Sequence, residues 1–325
     1  MCLASITLLL IAAFRSIYFA PDTLGYVIRY INLSESSINT YWGELINNTE
    51  IGIKDPFFYF ITSIIHSLGF SYRWWLAFIA LTFIYSSSWL IYKYSDEPYI
   101  SYISLISLGY FYFSLTGLRQ ILAVSFILIS YKYLREKRLV WFVLLVMLAS
   151  LFHTSALIFL IAYPFSYIKL GIKQMLLIFT SLFLIMFFYS RIFDLIEIIA
   201  WDDRIYYYLV HDRALNFSGF IIHLLIFLFC LYHKEKIVDH DIKNISLYNL
   251  LILGLIFQFF SNIIAEFFRV AMYFNIFSII LIPKSLAAIK NKKKKIITYV
   301  FILFSLVTYI IHSGKFYDFQ FFWEI

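Results

Sequence analysis

Long apolar runs separated by short polar clusters set the pattern of this chain, and few charges fall inside the runs. Residues 2–19, 74–92, 173–189 and 296–311 each approach or meet the roughly 20 apolar residues that a helix needs to cross a bilayer. The pattern predicts an all-α, polytopic integral membrane protein with about 10–11 transmembrane helices, some of them short or re-entrant. It forms a single membrane domain over residues 1–325.

Lys and Arg mark the cytoplasmic connections of such proteins. By that rule the clusters at 131–138 (Lys132, Arg135, Lys137, Arg138), 233–243 and 284–295 are cytoplasmic loops. The acidic-leaning segment 20–55 and the lysine-free segment 190–216 are the two sizeable outer loops. Parity then constrains the spans. An odd number of crossings must join Arg138 (inside) to Ser190 (outside), so the chain has to break and turn back near 151–156, at the sequence LFHTSA. A short hairpin, re-entrant in form, fits the lengths of the two arms, and His153 at its tip would face a cavity. The same count makes 57–68 an element that stops short of crossing. It also places turns on the outer side at 115–119 and 261–266. Arg119, His153, Glu266 and Arg269 all fall in the outer half of the membrane, although their identities were not used in reaching that placement.

Composition agrees with this picture. The chain is 62% hydrophobic and 14% charged, where a soluble domain carries about a quarter charged residues. A net charge of +7 suggests nucleic-acid binding only until its location is considered. Lys284, Lys290 and Lys292 to Lys295 lie between two apolar segments, where they act as a cytoplasmic anchor. Cys2 and Cys230 sit in apolar stretches with neither disulfide nor metal spacing. The N-terminus, lacking a basic region and a small-residue cleavage site, reads as a retained first helix.

Ionisable groups within or beside a span usually line a cavity or pair with one another. Glu266 and Arg269 are spaced i, i+3, and with Gln258, Asn262 and Tyr273 they form a polar stripe on an apolar segment. Such a stripe suits either a structural salt bridge with interhelical hydrogen bonds or a site. Arg119 can be an interfacial arginine with its head in water, and His153 an interior histidine satisfied by its neighbours. The segment 201–213 (WDDRIYYYLVHDR) combines Asp202, Arg204, His211 and Arg213 with aromatics. It suits sugar stacking and phosphate contact, and equally an interfacial helix. Asp239-His240-Asp241 superficially matches a DxD metal motif but sits among lysines in a cytoplasmic loop. No P-loop, GxGxxG, GxSxG or HExxH occurs.

The stretch Gly117-Leu-Arg-Gln-Ile-Leu-Ala, the basic Tyr133-Leu-Arg-Glu-Lys-Arg and Leu148-Ala-Ser-Leu-Phe-His-Thr-Ser-Ala-Leu together resemble the core of the EpsG-like, Wzy-type O-antigen and exopolysaccharide polymerases. The run from Arg15 to Asp22 and Tyr26 is similar to the family's early arginine, aspartate and tyrosine motif, although Ala20-Pro21 replaces its glycine-containing approach. Asp55-Pro56-Phe57 is similar to its acidic-Pro-Phe element, and Glu266 to Arg269 with Tyr273-Phe274 to its late motif.

This resemblance implies a glycosyltransferase of the bacterial inner membrane, acting at the periplasmic face without cofactor or metal. It would join undecaprenyl-pyrophosphate-linked oligosaccharide repeat units, in lipopolysaccharide or exopolysaccharide synthesis, with a chain-length regulator as a possible partner. Arg119 and Arg269, then Arg15 and Arg213, would bind the pyrophosphate, because a guanidinium clasps phosphate bidentately. Gln120 and Tyr273 would contact substrate. His153 would be the base, with Glu266 or Asp22 next. Two readings compete: a lipid-linked oligosaccharide flippase or polysaccharide exporter, and another transferase using a lipid-phosphate donor.

Overall fold

The computed structural model describes residues 2–19, 21–34, 37–47, 54–188, 217–262, 264, 266–313 and 319–324. The fold is all-α, and among the described residues it has four helices long and apolar enough to cross a membrane: Tyr72–Tyr94, Ile242–Phe260, Phe267–Ala287 and Lys292–His312. Further apolar helices of 10–17 residues include Cys2–Ala13, Leu139–Phe152 and Ser218–Tyr232. This is the architecture that a polytopic membrane protein requires. The outer segment 190–216 lies outside the described residues, and with it the stretch 201–213 and Arg213.

Two compact units make up the chain, one of residues 1–160 with 282–325, the other of residues 161–281. The first contains α1 (Cys2–Ala13), α2 (Pro21–Ile31), α3 (Ser37–Asn47), α4 (Pro56–Ser67), α5 (Tyr72–Tyr94), α6 (Pro98–Ser107), α7 (Tyr110–Thr116), α8 (Leu118–Arg135) and α9 (Leu139–Phe152). A 3₁₀ helix, Thr154–Ile161, follows α9. The second unit contains α10 (Ala162–Phe165), α11 (Ile172–Phe187), α12 (Ser218–Tyr232), α13 (Lys234–His240), α14 (Ile245–Phe260) and α15 (Phe267–Asn275). Helix α16 (Ser278–Ala287) runs from the second unit into the first, and α17 (Lys292–Ser313) belongs to the first.

Within the first unit α8 is the central helix, packed against α5 and α9. Its serines do not break it, because Ser125 and Ser130 donate to the carbonyls of Ile121 and Ile127. Helix α9 buries Phe142, Val146, Ala149 and Phe152 along one stripe, while Val140, Trp141, Leu144 and Leu151 face outward. A helix apolar on both faces has hydrocarbon as its outer solvent. Helix α17 has the same outer character, with Ile297, Val300, Phe301 and Phe304 exposed. A hydroxyl cluster ties α1, α5 and α6 together: Ser5 Oγ lies 2.8 Å from Ser88 Oγ and 2.7 Å from Tyr102 Oη.

The break expected at 151–156 is present. Helix α9 stops at Phe152, and His153 is extended with φ −156° and ψ 111°. The chain folds back far enough for the Phe142 and Phe159 rings to meet at 5.8 Å between centroids. Helix α4 has 12 residues, a length of about 18 Å at helical rise, well short of the hydrocarbon thickness.

Two expected loops differ. The segment 20–55 holds the helices α2 and α3. Helix α2 is amphipathic, burying Thr23, Val27 and Tyr30 on one face while Ile28 and Ile31 stay exposed, so it gains burial without spanning. The basic segment 233–243 likewise folds into α13 and a 3₁₀ turn, Ile242–Asn244, which the Asp241 carboxylate caps by accepting from Lys243 N at 2.9 Å.

The two ends of α8 carry different chemistry. At the Arg135 end, the Arg135 guanidinium lies 5.2 Å from the Tyr94 ring centroid. Nearby in the chain, just past Tyr94, Asp96 pairs with Lys284 at 3.1 Å and Glu97 with Lys295 at 2.7 Å. The other end begins with Arg119. The 18 residues of α8 separate the two ends by about 27 Å, close to the thickness of a bilayer core.

Candidate functional site

Asp55 is the centre of the site. It precedes Pro56, which opens α4 at a position where its missing N–H would have no partner in any case. Proline also disfavours right-handed helical backbone in the residue before it, and Asp55 adopts the left-handed region instead, at φ 59° and ψ 58°. Aspartate tolerates that conformation better than most residues. The turn points its carboxylate inward, where the side chain has no solvent exposure.

A buried carboxylate needs donors for its lone pairs, and Asp55 has four. Its Oδ1 accepts from the Thr154 backbone N–H at 3.1 Å and from Thr154 Oγ1 at 3.0 Å. Its Oδ2 lies 2.9 Å from His153 Nδ1 and 3.0 Å from Arg119 Nη1. The broken helix accounts for two of these contacts. Because α9 ends at Phe152, a new 3₁₀ helix starts at Thr154. Its first N–H groups have no partner within it and hydrocarbon could not satisfy them, and Asp55 caps that start. Burial raises the Asp55 carboxyl, but the His153 hydrogen bond and charge, the Thr154 N–H and the Arg119 charge outweigh it and hold the group below its ordinary value. Asp55 is therefore a carboxylate at neutral pH.

An ionised carboxylate only accepts, so His153 donates through Nδ1–H, which in the neutral imidazole leaves the lone pair on Nε2. Nε2 has no hydrogen-bond partner among the described residues. Arg119 is held at several points as well. Its Nε donates to Tyr26 Oη at 3.1 Å and Nη1 to the Lys54 carbonyl at 3.0 Å. Burial pushes the Tyr26 hydroxyl up despite the lowering influence of Arg119, so it stays a neutral phenol able to accept that bond. With 20% of its side chain exposed, Arg119 still reaches open space. Arginine, histidine and carboxylate thus come from the start of α8, the end of α9 and the start of α4.

Asp22 stands at the edge of this cluster, exposed, one turn before Tyr26 on α2 and 3.4 Å from Thr116 Oγ1. Gln120 follows Arg119 and is buried. Arg15 lies apart. Its side chain is buried beside the bridge joining its backbone to Phe321. There Nη1 donates to the Ala12 carbonyl, and Nε and Nη2 have no partner among the described residues.

Glu266, Arg269 and Tyr273 belong to the second unit. The stripe proposed from their spacing does not lie on one helix, because α14 ends at Phe260 and α15 starts at Phe267. Glu266 precedes α15, its carbonyl accepting from Arg269 N at 3.0 Å, and Tyr273 is fully buried. On α14, Gln258 Nε2 donates to Ser261 Oγ at 3.0 Å and the Asn275 side chain approaches Gly254 and Gln258, each at 3.5 Å. Those contacts pack α14 against α15.

Asp55 entered the sequence reading as the end of an outer loop and within the Asp55-Pro56-Phe57 resemblance, but it was given no role in the site. The available signal was an acid directly before a helix-opening proline in a chain with few charges.

An all-α chain with four apolar helices of membrane-crossing length among its described residues is of the class of polytopic membrane proteins, and this one carries a buried carboxylate–histidine–arginine cluster. More particularly, the EpsG family model matches residues 1–323, and the chain belongs to the EpsG family. Comparison with curated proteins and with solved structures gives no match.

Proposed function

We propose that this protein is a polymerase of the bacterial inner membrane. It joins undecaprenyl-pyrophosphate-linked oligosaccharide repeat units into O-antigen or exopolysaccharide chains at the periplasmic face. The observation that carries the reading is the Asp55–His153–Arg119 cluster, together with membership of the EpsG family. Its position at the end of α8 away from Lys284 and Lys295 supports the outer face, since lysine clusters stay inside.

The hydroxyl at the non-reducing end of an acceptor repeat attacks the anomeric carbon of the donor chain. The new C–O bond forms as the anomeric carbon–phosphate oxygen bond breaks, and the electron pair leaves with the lipid pyrophosphate. The hydroxyl proton passes to His153 Nε2, and Asp55 stabilises the resulting imidazolium through Nδ1–H. Arg119, pre-oriented by Tyr26 and Lys54, stabilises the charge developing on the phosphate. Fixed cations do this without a metal. Within the same unit, Asp22 is the second candidate for the base and Gln120 a candidate for sugar contact. A chain-length regulator would be a partner.

The test is polymer length in cells expressing Arg119→Ala or His153→Ala at wild-type protein level. Single repeats on the lipid carrier or its final acceptor are expected from both. Normal long-chain ladders from both would overturn the reading. Loss of outward movement of the lipid-linked repeat unit, with polymerisation in isolated membranes intact, would point instead to a flippase.

A further inference from the structure

Beside the Asp55 cluster stands a second guanidinium to which the sequence pattern assigns no role. Arg29, in the last turn of α2, donates from Nη1 to Tyr59 Oη at 2.7 Å, and its guanidinium carbon lies 5.5 Å from the Tyr59 ring centroid. Arg119 approaches the same ring, at 6.0 Å from the centroid. Two distances to one point set a limit, so the two guanidinium carbons stand no more than about 12 Å apart, close enough for both to approach one multivalent anion. Tyr59 is itself fixed. Its ring stacks on Tyr41 at 5.5 Å between centroids and its side chain is buried.

Charge bookkeeping makes this pair unusual. Asp55, the buried carboxylate of the cluster, is already filled by His153, Thr154 and Arg119. Arg29 has no carboxylate partner among the described residues, and Tyr59 takes one of its five N–H donors. Exposed and in the last turn of its helix, it can keep its other donors for a ligand.

We infer that Arg29 and Arg119, set around the Tyr59 ring, form a two-ended clamp selective for a diphosphate over a single phosphate. Arg119 takes the phosphate next to the reacting carbon and Arg29 the distal one, which carries the lipid. Tyr59 acts as a positioning residue that holds Arg29 at the right reach. The inference rests on the polymerase reading for the identity of the natural diphosphate, but the clamp is tested without it.

The full chain in lipid nanodiscs is titrated calorimetrically with inorganic pyrophosphate and, separately, orthophosphate, both without divalent cations. Wild type should prefer pyrophosphate. Arg29→Gln should weaken pyrophosphate about tenfold, the loss of one charge-assisted contact, while orthophosphate changes less than about twofold because Arg119 remains. Tyr59→Phe, which keeps the ring and removes only the hydroxyl, should show the same selective loss at about threefold, within the range of one neutral hydrogen bond. An Arg29→Gln protein that binds pyrophosphate within about twofold of wild type, or a wild type without preference between the ligands, overturns the clamp. If that happens while Arg119→Ala and His153→Ala still abolish polymer, the polymerase reading stands without it. An Arg29-dependent pyrophosphate preference in a protein that makes no polymer would have the opposite meaning.

Discussion

The two ends of α8 hold ion pairs of very different kinds. At the Arg119 end, Asp55 has no exposed side-chain surface and receives four donors from two other parts of the chain. At the Arg135 end, Asp96 is 44% exposed and meets a single lysine at 3.1 Å, and Glu97 meets Lys295 at 2.7 Å with Tyr99 donating to the same carboxylate. Water reaches Asp96 and Lys295 whether or not their pairs form, so each of these pairs keeps a partly solvated member and adds less stability. The first set has no such alternative. Removing one member leaves buried charge unpaired, and the geometry of the remaining groups is lost with it. Only the buried arrangement fixes a histidine and an arginine in orientation together, which the proposed reaction needs.

The largest effect is therefore expected from Asp55→Ala. Losing the acceptor of three residues should cost about 3–5 kcal/mol of stability and all polymer formation. Thermal unfolding in nanodiscs checks the first and polymer length the second. An unfolding shift no larger than that of Asp96→Ala would erase the distinction between the two ends.

Next is Arg119→Lys, which keeps a charge but loses the fork that reaches Tyr26, Lys54 and Asp55 together. Polymerisation should slow by about 10- to 100-fold, the equivalent of about 1.4–2.7 kcal/mol. Near-wild-type rates from membranes carrying Arg119→Lys would show that a point charge suffices.

Acidification separates the ends in a third way. The Asp55 carboxyl is held below its ordinary value of 3.8 in the folded protein. A lowered folded value means that the stabilisation is fully present above the unfolded value and disappears as pH falls through the folded one. Wild-type stability should thus show an extra loss below about pH 4 that Asp55→Asn lacks. Parallel pH curves for the two proteins would contradict that assignment. The Glu97 carboxyl is also lowered, by Lys295 and Tyr99 acting against burial, but it is more exposed and screened, so Glu97→Gln should change the curve less.

Thr154→Val should cost about 1 kcal/mol by deleting one of the four bonds to Asp55 while the backbone bond remains. Smallest of all, Lys295→Ala should change stability by less than about 1 kcal/mol, and less still at high salt.

Much of this comparison can be read in one dimension. The lysines between apolar runs identify one end of the unit, and parity requires the chain to break near His153, because hydrocarbon restricts how a backbone can run. The restriction is local: a span must be long, apolar and internally hydrogen-bonded. Arg119 is similarly legible as a charge where a helix begins. The two helices inside segment 20–55 were not, since amphipathic surface helices lack the length that marks a span. The turn that puts Arg269 on a second helix was legible, because an apolar segment too long for one span with both flanks inside must fold back near 261–266.

The sequence by itself determined the solvent of this protein, the sites where its helices break and the few charges available near those breaks. Only the tertiary structure decided which charges meet. Asp55 stands 64 residues before Arg119 and 98 before His153, and no spacing rule links such positions. Their meeting depends on α4, α8 and α9 packing so that one left-handed turn delivers a carboxylate to a broken helix end. Burial then supplies the physical reason that the contact persists: no water is there to take the place of any of the partners.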